Sequence, residues 1–339
     1  MKILVTGGLG FIGSHTVVEL QHEGFEVVII DDLSNASIDV LEGITKITGT
    51  KPHFKALDLK VKADVQQFFE AHKDIAGVIH FAASKAVGES VQSPLKYYEN
   101  NINTLVYVLQ ELSQLTHKNF IFSSSCTVYG QADELPISEN APVKPAESPY
   151  GNTKQIGEEI IRDACKVDQS LNSIALRYFN PIGAHSSAEI GELPIGAPQN
   201  LVPYITQTAV GLRDQLSVFG DDYPTKDGTC VRDYIHVVDL AKAHVVALQR
   251  LIASKNKSNF EIFNLGTGKG SSVLEVVKSF EKVSGTKLNY KIVARRDGDV
   301  TEAYAETTKA SNDLGWKTEL TLDDAMASAW KWEQKIRNK

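Results

Sequence analysis

Three glycines near the start of the chain constrain the fold more than any other feature. Residues 3–5 form a short apolar run with strand propensity, and residues 16–20 continue with the apolar spacing of a helix. Gly7, Gly10 and Gly13 lie between these runs at three-residue spacing, where a strand turns into a helix. The free backbone N–H groups and the positive end of the helix dipole at such a turn attract a phosphate.

The next apolar run supplies the second half of a dinucleotide-binding pattern. Residues 25–30 read as a buried strand that ends at Asp31 and Asp32, about 20 residues beyond the glycines. Gly10 would let the backbone approach a pyrophosphate, and Gly13 would let the helix pack closely on the strand. A carboxylate at this place binds ribose hydroxyls and repels a 2′-phosphate, so we expect NAD rather than NADP. A strand–turn–helix unit without a ligand is the structural alternative.

The composition favours a globular enzyme over a nucleic-acid-binding or membrane protein. The chain has 339 residues, of which 42% are hydrophobic and 23% charged, and this length suggests two lobes. A formal net charge of −7 without a long basic run argues against nucleic acid or an anionic membrane as partner. No apolar stretch reaches about 18 residues and the first strand begins at residue 2, so we expect neither a transmembrane helix nor a signal peptide.

The three cysteines, Cys126, Cys165 and Cys230, are unevenly spaced and show no metal-binding pattern. Such cysteines are typical of reduced thiols in a cytoplasmic protein. We therefore expect a cytoplasmic location, no disulfide framework and no metal site.

Strand and helix patterns alternate through the first half of the chain. Predicted strands at 52–57, 77–81, 119–125 and 173–177 alternate with predicted helices at 61–71, 94–115 and 150–167. This alternation predicts an α/β fold, a Rossmann-type doubly wound parallel sheet with helices on both faces. Ligands of such sheets bind beyond the carboxyl ends of the strands.

The second half predicts a smaller, discontinuous α/β lobe. Residues 234–238, 239–252 and 260–265 read as a strand, a helix and a strand that return to the main sheet. We therefore predict a cofactor-binding domain of residues 1–179 with about 234–265. Residues 180–233 and 266–339 would form the substrate-binding lobe.

Tyr150 and Lys154 form a Tyr-x-x-x-Lys pair at the start of a predicted helix, so their side chains share one face. A free phenol has a pKa of about 10 and is a poor base at neutral pH. A nearby lysine and a positive nicotinamide ring would both lower the tyrosine pKa and favour phenolate. Ser125, which ends a predicted strand, would orient a substrate hydroxyl. Such pairs also occur by chance on solvated helices, but the dinucleotide pattern upstream favours catalysis.

The motifs together resemble the extended short-chain dehydrogenase/reductase family, and within it the UDP-galactose 4-epimerases. The resemblance covers essentially the full chain. It is carried by seven segments, of which the last two are much more specific than the glycine turn: residues 6–15, 78–83, 85–90, 122–130, 148–154, 176–185 and 227–236.

The resemblance implies a set of NAD-binding residues that runs along the sheet edge. The backbone at Phe11 and Ile12 would meet the pyrophosphate, Asp31 and Asn35 the adenosine ribose, and Asp58 the adenine. The complete set implied is Gly7, Gly10, Phe11, Ile12, Gly13, Asp31, Asp32, Leu33, Ser34, Asn35, Ala36, Asp58, Leu59, Phe81, Ala82, Ala83, Lys85, Asn100, Ser125, Tyr150, Lys154, Tyr178 and Phe179.

The resemblance also implies a UDP-sugar site. Arg232 and Arg296 would clamp the diphosphate, which suits guanidinium geometry, and Asp299 would bind the uridine ribose. Ser217, Val218 and Phe219 would flank the uracil. The complete set implied is Ser125, Tyr150, Asn180, Asn200, Leu201, Ser217, Val218, Phe219, Arg232, Arg296, Asp299 and Ala303.

The activity implied is 4-epimerisation of UDP-glucose and UDP-galactose through a transient 4-keto sugar, with tightly bound NAD. The related 4,6-dehydratases carry an acid pair after the active-site threonine, whereas Thr127 is followed here by Val128 and Tyr129. Another NAD-dependent dehydrogenase or reductase acting on a nucleotide-sugar is one alternative. A non-catalytic dinucleotide sensor is another, and it would not need Tyr150 or Lys154.

Ala303 departs from the pattern of family members restricted to unmodified sugars. Those members carry a tyrosine four residues after the aspartate that matches Asp299, whereas Tyr304 follows one position later here. The smaller side chain would leave room for a 2-acetamido group, so we expect UDP-N-acetylglucosamine and UDP-N-acetylgalactosamine to be accepted too. The resemblance also implies a homodimer formed through two long helices per subunit. The apolar stripe of Leu105, Val108, Leu109 and Leu112 belongs either to the core or to that interface.

Overall fold

The computed structural model describes residues 1–296 and 299–338, and a seven-stranded sheet forms its centre. The chain begins with β1 (Lys2–Thr6), α1 (Phe11–His22), β2 (Glu26–Asp31), α2 (Val40–Thr48), β3 (His53–Ala56), α3 (Lys62–Ala71) and β4 (Ile75–His80). It continues with α4 (Val87–Gln92), α5 (Pro94–Leu112), β5 (Asn119–Ser125), a short 3-10 helix (Cys126–Tyr129), α6 (Pro149–Val167) and β6 (Asn172–Tyr178).

The second half has shorter strands. It comprises β7 (Asn180–Ile182), α7 (Leu201–Ala209), β8 (Leu216–Phe219), β9 (Val231–Arg232), β10 (Tyr234–His236), α8 (Val237–Ile252) and β11 (Phe260–Leu265). Then follow β12 (Ser271–Ser272), α9 (Val273–Ser284), β13 (Tyr290–Val293), β14 (Glu302–Ala303), a π-helical turn (Ala310–Leu314) and α10 (Leu322–Arg337). No helix among the described residues has the length and apolar character needed to cross a membrane.

The main sheet has the order β11-β6-β5-β4-β1-β2-β3, and all six pairings are parallel. This confirms the predicted Rossmann-type α/β fold. The chain runs outward from β1 to β3 and then returns to place β4 on the other side of β1. The order therefore reverses between β1 and β4, which is where such sheets bind ligands.

Both faces of the sheet are covered, because successive strand side chains point to opposite faces. Ile3 and Val5 pack in a core with residues of α1 and α8, whereas Leu4 packs in a second core with residues of α3, α5 and α6. The stripe of Leu105, Val108, Leu109 and Leu112 is buried in this second core. The stripe thus belongs to the core of the single chain and not to a dimer face.

The prediction that residues 234–238 return to the main sheet is wrong. Strand β10 pairs in parallel with β7 in a separate two-stranded sheet, so that Tyr234 lies beside Asn180. Strand β11 does join the main sheet, at its edge beside β6. A short apolar run needs a buried partner strand, but its sequence does not specify which strand that is. The division into two lobes stays a prediction.

Candidate active site

The glycine turn leaves an open helix N-terminus at the switch point. Gly7 has a φ of +67°, a left-handed conformation that strains most side chains. A Cβ at Gly13 would lie 2.3 Å from the carbonyl oxygen of Gly7, so only glycine lets α1 pack this closely. Gly10 is the N-cap of α1, and among the described residues no side chain caps the helix. The amides of the first turn, at Phe11 and Ile12, therefore fit a phosphate.

The two aspartates at the end of β2 lie beside this turn. Asp31 is 8% exposed, and its carboxylate accepts the backbone N–H groups of Leu9 at 3.1 Å and Leu33 at 3.0 Å. Burial raises the pKa of Asp31, and the two backbone donors oppose that shift. Asp32 is exposed and accepts the N–H group of Ser34 at 2.9 Å. A buried and an exposed carboxylate thus meet where a ribose is predicted.

The segment after β4 forms the other wall of the crevice. A Cβ at Gly7 would come within 2.8 Å of the amide nitrogen of Ala82, so the two segments touch. Phe81 donates its N–H to the Thr6 carbonyl at 3.0 Å, and its ring lies 4.7 Å from the imidazole of buried His244. Phe81 and Ala82, both half-buried, therefore lie at the switch point as predicted.

Lys60 connects Asp58, which is predicted to meet the adenine, with Asn100, which is predicted to lie beside the dinucleotide cleft. Its ammonium lies 3.0 Å from the Asp58 carboxylate and donates to Asn100 Oδ1 at 3.4 Å. Asn100 Nδ2 in turn donates to the Ser84 hydroxyl at 3.2 Å. The other predicted residues of this edge differ in exposure: Asn35 and Lys85 are exposed, Ala36 and Ala83 are half-buried, and Leu59 is buried.

The catalytic candidates meet at the carboxyl end of β5. Ser125 ends this strand, and Tyr150 lies in the first turn of α6, which begins at Pro149 and is capped by the Ser148 side chain. The Ser125 and Tyr150 side chains lie near each other, and Ser125 Oγ accepts the N–H of Thr127 at 3.2 Å. Lys154, which is 4% exposed, donates to the Ser123 carbonyl at 2.7 Å, and its ammonium lies 5.8 Å from the centre of the Tyr150 ring.

The protein groups alone do not lower the tyrosine pKa. Burial raises the pKa of Tyr150 to about 12, and the nearby Ser125 hydroxyl opposes this shift. Burial lowers the pKa of Lys154 to about 8, although the carboxylate of Glu158 opposes that shift. Desolvation of the phenol outweighs the effect of these protein neighbours. The predicted phenolate depends on Lys154 together with a positive nicotinamide ring, and it stays a prediction.

A buried ion pair fixes the catalytic helix to the sheet. The side chains of Arg177 and Glu158 are 2% and 3% exposed, and the guanidinium donates to both carboxylate oxygens, at 2.8 Å and 2.5 Å. Ser124 also donates to Glu158 at 2.6 Å. Glu158 lies one turn after Lys154, and Ser124 precedes Ser125. The pair therefore ties together the strand and the helix that carry the catalytic candidates.

Two predicted arginines converge on one aspartate. Arg296 donates to both oxygens of Asp299, at 3.1 Å and 2.7 Å, and Arg232 approaches the same carboxylate at 3.5 Å. The Arg296 guanidinium lies 5.7 Å from the centre of the Phe219 ring. We call Arg232, Arg296 and Asp299 the arginine cluster. Cys126, which follows Ser125, packs against the same apolar cluster as Ala303, and Ala303 lies opposite Arg232, so the arginine cluster lies near the catalytic candidates.

Of the three β8 residues predicted to flank the uracil, only Ser217 and Phe219 have side chains that are not fully buried. Val218 is 1% exposed and packs in the core under α7, α9 and α10. Ser217 and Phe219 point to the opposite face because strand side chains alternate. A role for Val218 beside the uracil would therefore involve its backbone and not its side chain.

Ala303 lies directly beside Arg232. Strands β14 and β9 are parallel, with Ala303 opposite Arg232, and Ala303 packs against the apolar cluster that contains Phe179. Tyr304 contacts Gly270, where an added Cβ would lie 3.2 Å from its ring. Ala303 therefore lies next to the arginine cluster, whereas the ring of Tyr304 lies against Gly270.

Asp233 holds this region in place. It is 0% exposed, and its carboxylate accepts four hydrogen bonds of 2.7–3.1 Å, two from Thr267 and one each from the amides of Gly268 and Ala305. Asp233 follows Arg232 directly, and Ala305 follows β14. The carboxylate thus fixes both strands that carry the arginine and Ala303.

Of the remaining predicted residues, Asn200 and Lys85 lie beside Glu192. Asn200 is the N-cap of α7, next to Leu201, and its Nδ2 donates to Glu192 Oε1 at 2.5 Å. Lys85 lies 3.9 Å from the same carboxylate. Asn180 begins β7, Tyr178 shares a hydrogen bond with Ser123, and Phe179 is buried.

Named proteins that are similar to this chain identify its family. The family model described as GDP-mannose 4,6 dehydratase matches residues 4–329. A UDP-glucose 4-epimerase of Bacillus subtilis is 50% identical over 333 residues, which cover 98% of this chain and 97% of that protein. The chain belongs to the UDP-glucose 4-epimerase family.

Solved structures of this family agree over the whole chain. A UDP-glucose 4-epimerase from Stenotrophomonas maltophila, with bound NAD and formylated UDP-arabinopyranose, is 46% identical with a TM-score of 0.96, covering 100% and 99% of the two chains. A UDP-Glc/GlcNAc 4-epimerase from Campylobacter jejuni is 37% identical with a TM-score of 0.84, covering 98% and 99%. The predicted family is confirmed, and the dehydratase description belongs to a broader set of relatives.

Five charged residues organise the site without having been singled out from the sequence: Lys60, Glu158, Arg177, Glu192 and Asp233. Arg177 and Asp233 had a signal, since each is a charged residue at or within an apolar strand, which burial permits only when it is paired. Lys60 and Glu192 lie in loops and had none, because their partners are distant in the sequence.

Proposed function

We propose that this chain interconverts UDP-glucose and UDP-galactose by inverting the configuration at C4, with NAD as a tightly held cofactor. The observation that carries the proposal is the arginine cluster near Ser125 and Tyr150. A catalytic phenol beside paired guanidinium groups suits a sugar linked to a diphosphate. The relatives at 46–50% identity, named UDP-glucose 4-epimerases, support the same activity.

The open helix N-terminus and the two aspartates fit an NAD molecule. The amides of Phe11 and Ile12 would bind the pyrophosphate, Asp31 the adenosine ribose, and Asp58 the adenine side. When bound, NAD supplies the acceptor and donor of the hydrogen at C4, and its positive ring stabilises a phenolate.

Tyr150 takes the proton from the sugar 4-hydroxyl and later returns it. Ser125 bridges the tyrosine and the sugar hydroxyl and so orders the proton path. Lys154 adds a positive charge close to the phenol ring. Because burial raises the pKa of Tyr150 to about 12, the phenolate forms only in the loaded site.

The arginine cluster anchors the diphosphate while the sugar turns. Arg232 and Arg296 would bind the phosphate oxygens, Asp299 the uridine ribose, and Phe219 the uracil. A sugar held only through its phosphate linkage can present either face of C4 to the same tyrosine. This arrangement explains how one base serves both epimers.

The direct test is conversion of UDP-galactose to UDP-glucose by the purified protein. Tyr150→Phe keeps the ring but removes the acid–base group, so turnover is expected to fall by at least about 100-fold. UDP binding, measured by calorimetry, should stay within about twofold of the parent because the diphosphate contacts lie elsewhere. A variant with parental turnover would refute the assignment of Tyr150, and net reduction of NAD would favour a dehydrogenase.

A second proposed activity, on UDP-N-acetylglucosamine and UDP-N-acetylgalactosamine, rests on Ala303. Its methyl group lies beside Arg232, and the Campylobacter jejuni relative is named for UDP-Glc and GlcNAc. Ala303→Tyr should remove acetamido-sugar activity and spare UDP-galactose. The idea is wrong if both activities survive.

We infer that the protein is a cytoplasmic homodimer whose subunits pair through α5 and α6. Each subunit would have the cofactor-binding lobe and the substrate-binding lobe that the sequence predicts. Sedimentation analysis at micromolar concentration tests the dimer, and a monomer would contradict it.

A further inference from the structure

Glu192, in the loop between β7 and α7, connects two sides of the candidate site. Its Oε1 accepts a hydrogen bond from Asn200 Nδ2 at 2.5 Å and lies 3.9 Å from Lys85 Nζ. Lys85 follows β4, whereas Asn200 caps α7, so the contact joins segments that are far apart in the chain. Only 11% of the Glu192 side chain is exposed. A largely buried carboxylate of this kind is retained only with partners.

The loop that carries Glu192 is itself held firmly. Trp332, on α10, donates its Nε1–H to the Glu192 carbonyl at 2.9 Å. A Cβ at Gly191 would lie 2.5 Å from the Trp332 ring, so the loop packs directly on the indole. Glu192 therefore starts from a fixed backbone position, and its carboxylate has a defined direction.

We propose that Glu192 is a positioning residue that sets the orientation of the Asn200 carboxamide for binding of the UDP moiety. The inference rests on the proposed function. An ionised carboxylate can only accept hydrogen bonds, so it selects the orientation in which Nδ2 of Asn200 faces Glu192. The second N–H and the Oδ1 of Asn200 then have fixed positions for the ligand.

Charge repulsion between Glu192 and the diphosphate predicts the opposite effect of Glu192 on UDP binding. A diphosphate brings negative charge close to the Glu192 carboxylate, and removal of that carboxylate would relieve repulsion. A repulsive role therefore predicts tighter UDP binding after substitution. A positioning role predicts weaker binding.

The test measures UDP affinity by calorimetry on the purified full-length protein. Glu192→Ala should raise the Kd of UDP about tenfold, the usual effect of losing a hydrogen bond to a charged group. The KM of UDP-galactose should rise in parallel while kcat stays within about twofold. Glu192→Gln keeps an acceptor for Asn200, so its Kd should lie between those of the alanine variant and the parent.

The control is Glu189→Ala in the same loop, whose carboxylate pairs with Lys335 and lies 4.0 Å from Lys46 Nζ. Its UDP affinity should match the parent. Thermal melting checks that all variants fold, and the glutamine variant serves if the alanine variant does not.

A double-substitution cycle shows whether Glu192 acts through Asn200. Glu192→Ala added to Asn200→Ala should change the Kd of UDP by less than about twofold, because the group that it orients is already absent. Fully multiplicative effects, or an unchanged or lower Kd in Glu192→Ala, would overturn the inference. UDP binding that depends on Glu192 in a protein without epimerase activity would instead refute only the proposed function. Failure to bind UDP at all would refute both.

Discussion

Lys154 is expected to destabilise the folded protein while serving catalysis. The residue is only 4% exposed, burial lowers its pKa from 10.5 to about 8, and its ammonium donates to the Ser123 carbonyl at 2.7 Å. Lys154→Met keeps the aliphatic stem and removes the charge. We predict that this variant loses at least about 100-fold in turnover yet is more stable than the parent when NAD is removed.

The size of the expected gain in the free energy of unfolding follows from the shift in the pKa of Lys154. Each tenfold change in proton affinity is worth ~1.36 kcal/mol, so a fall from 10.5 to about 8 means that holding the charged form costs about 3 kcal/mol. Removal of the ammonium leaves the Ser123 carbonyl without that donor, which costs about 1–2 kcal/mol. The net gain in the free energy of unfolding at pH 7 is therefore about 1–2 kcal/mol.

The pH dependence separates this explanation from better packing. The pKa of Lys154 is lower in the folded than in the unfolded protein, so the unfolded state binds more protons between pH of about 8 and 10.5. The stability of the parent then rises with pH relative to the variant. The advantage of Lys154→Met should be full at pH 7 and should disappear by pH of about 10.

Urea denaturation of the NAD-stripped proteins at pH 7 and pH 10 measures both effects. The matched control is Lys166→Met on the same helix, whose side chain is 66% exposed and pairs with Asp163 at 2.8 Å. Its stability should change by less than about 0.5 kcal/mol at either pH. A Lys154→Met protein that is less stable than the parent at pH 7, or whose advantage is the same at both pH values, would refute the reasoning.

Three further predictions follow from single contacts. Arg296→Ala should weaken UDP binding by about tenfold in calorimetry. Arg295→Ala should not, because Arg295 donates to the exposed Asp222, whereas Arg296 donates to Asp299. Equal effects of the two substitutions would contradict this prediction. Asp233→Ala deletes an acceptor of four hydrogen bonds and should lower the free energy of unfolding by about 3–5 kcal/mol. A melting curve like that of the parent would contradict the role of Asp233 in holding these strands together. Gly13→Ala should lose bound NAD, because its Cβ would lie 2.3 Å from the Gly7 carbonyl oxygen. The absorbance of the released cofactor measures the amount bound, and retention of NAD at the parental level would contradict this prediction.

The bounds of two strands of the main sheet were predictable because each contains Phe and Ile, which favour strands. The bounds predicted for β5 and β11, residues 119–125 and 260–265, match those observed. Helix ends were less certain, since the helix predicted to reach residue 115 ends at Leu112.

Pairing and long-range contacts were not predictable in the same way. The apolar pattern of β10 indicates burial, but nothing in it indicates β7 as its partner. The contacts of Glu192 with Lys85 and Asn200 depend on how two loops meet after folding. Local sequence patterns specify elements, whereas such contacts arise from tertiary packing.

The candidate site shows the same division. The sequence pattern indicated Tyr150 and Lys154 on one helix face, and the structure has both at the carboxyl edge of the sheet. The charge state was not predictable, because the desolvation that raises the pKa of Tyr150 and lowers that of Lys154 depends on the surrounding fold.

The central claim is that Tyr150 moves only the hydroxyl proton, while the hydrogen on C4 leaves and returns within the closed site. The most direct measurement uses UDP-galactose deuterated at C4, in ordinary water and without added NAD, with the product followed by NMR. We predict UDP-glucose that retains the deuterium at C4. Loss of the deuterium to solvent, or no product together with accumulation of reduced cofactor, would contradict the proposed epimerase mechanism.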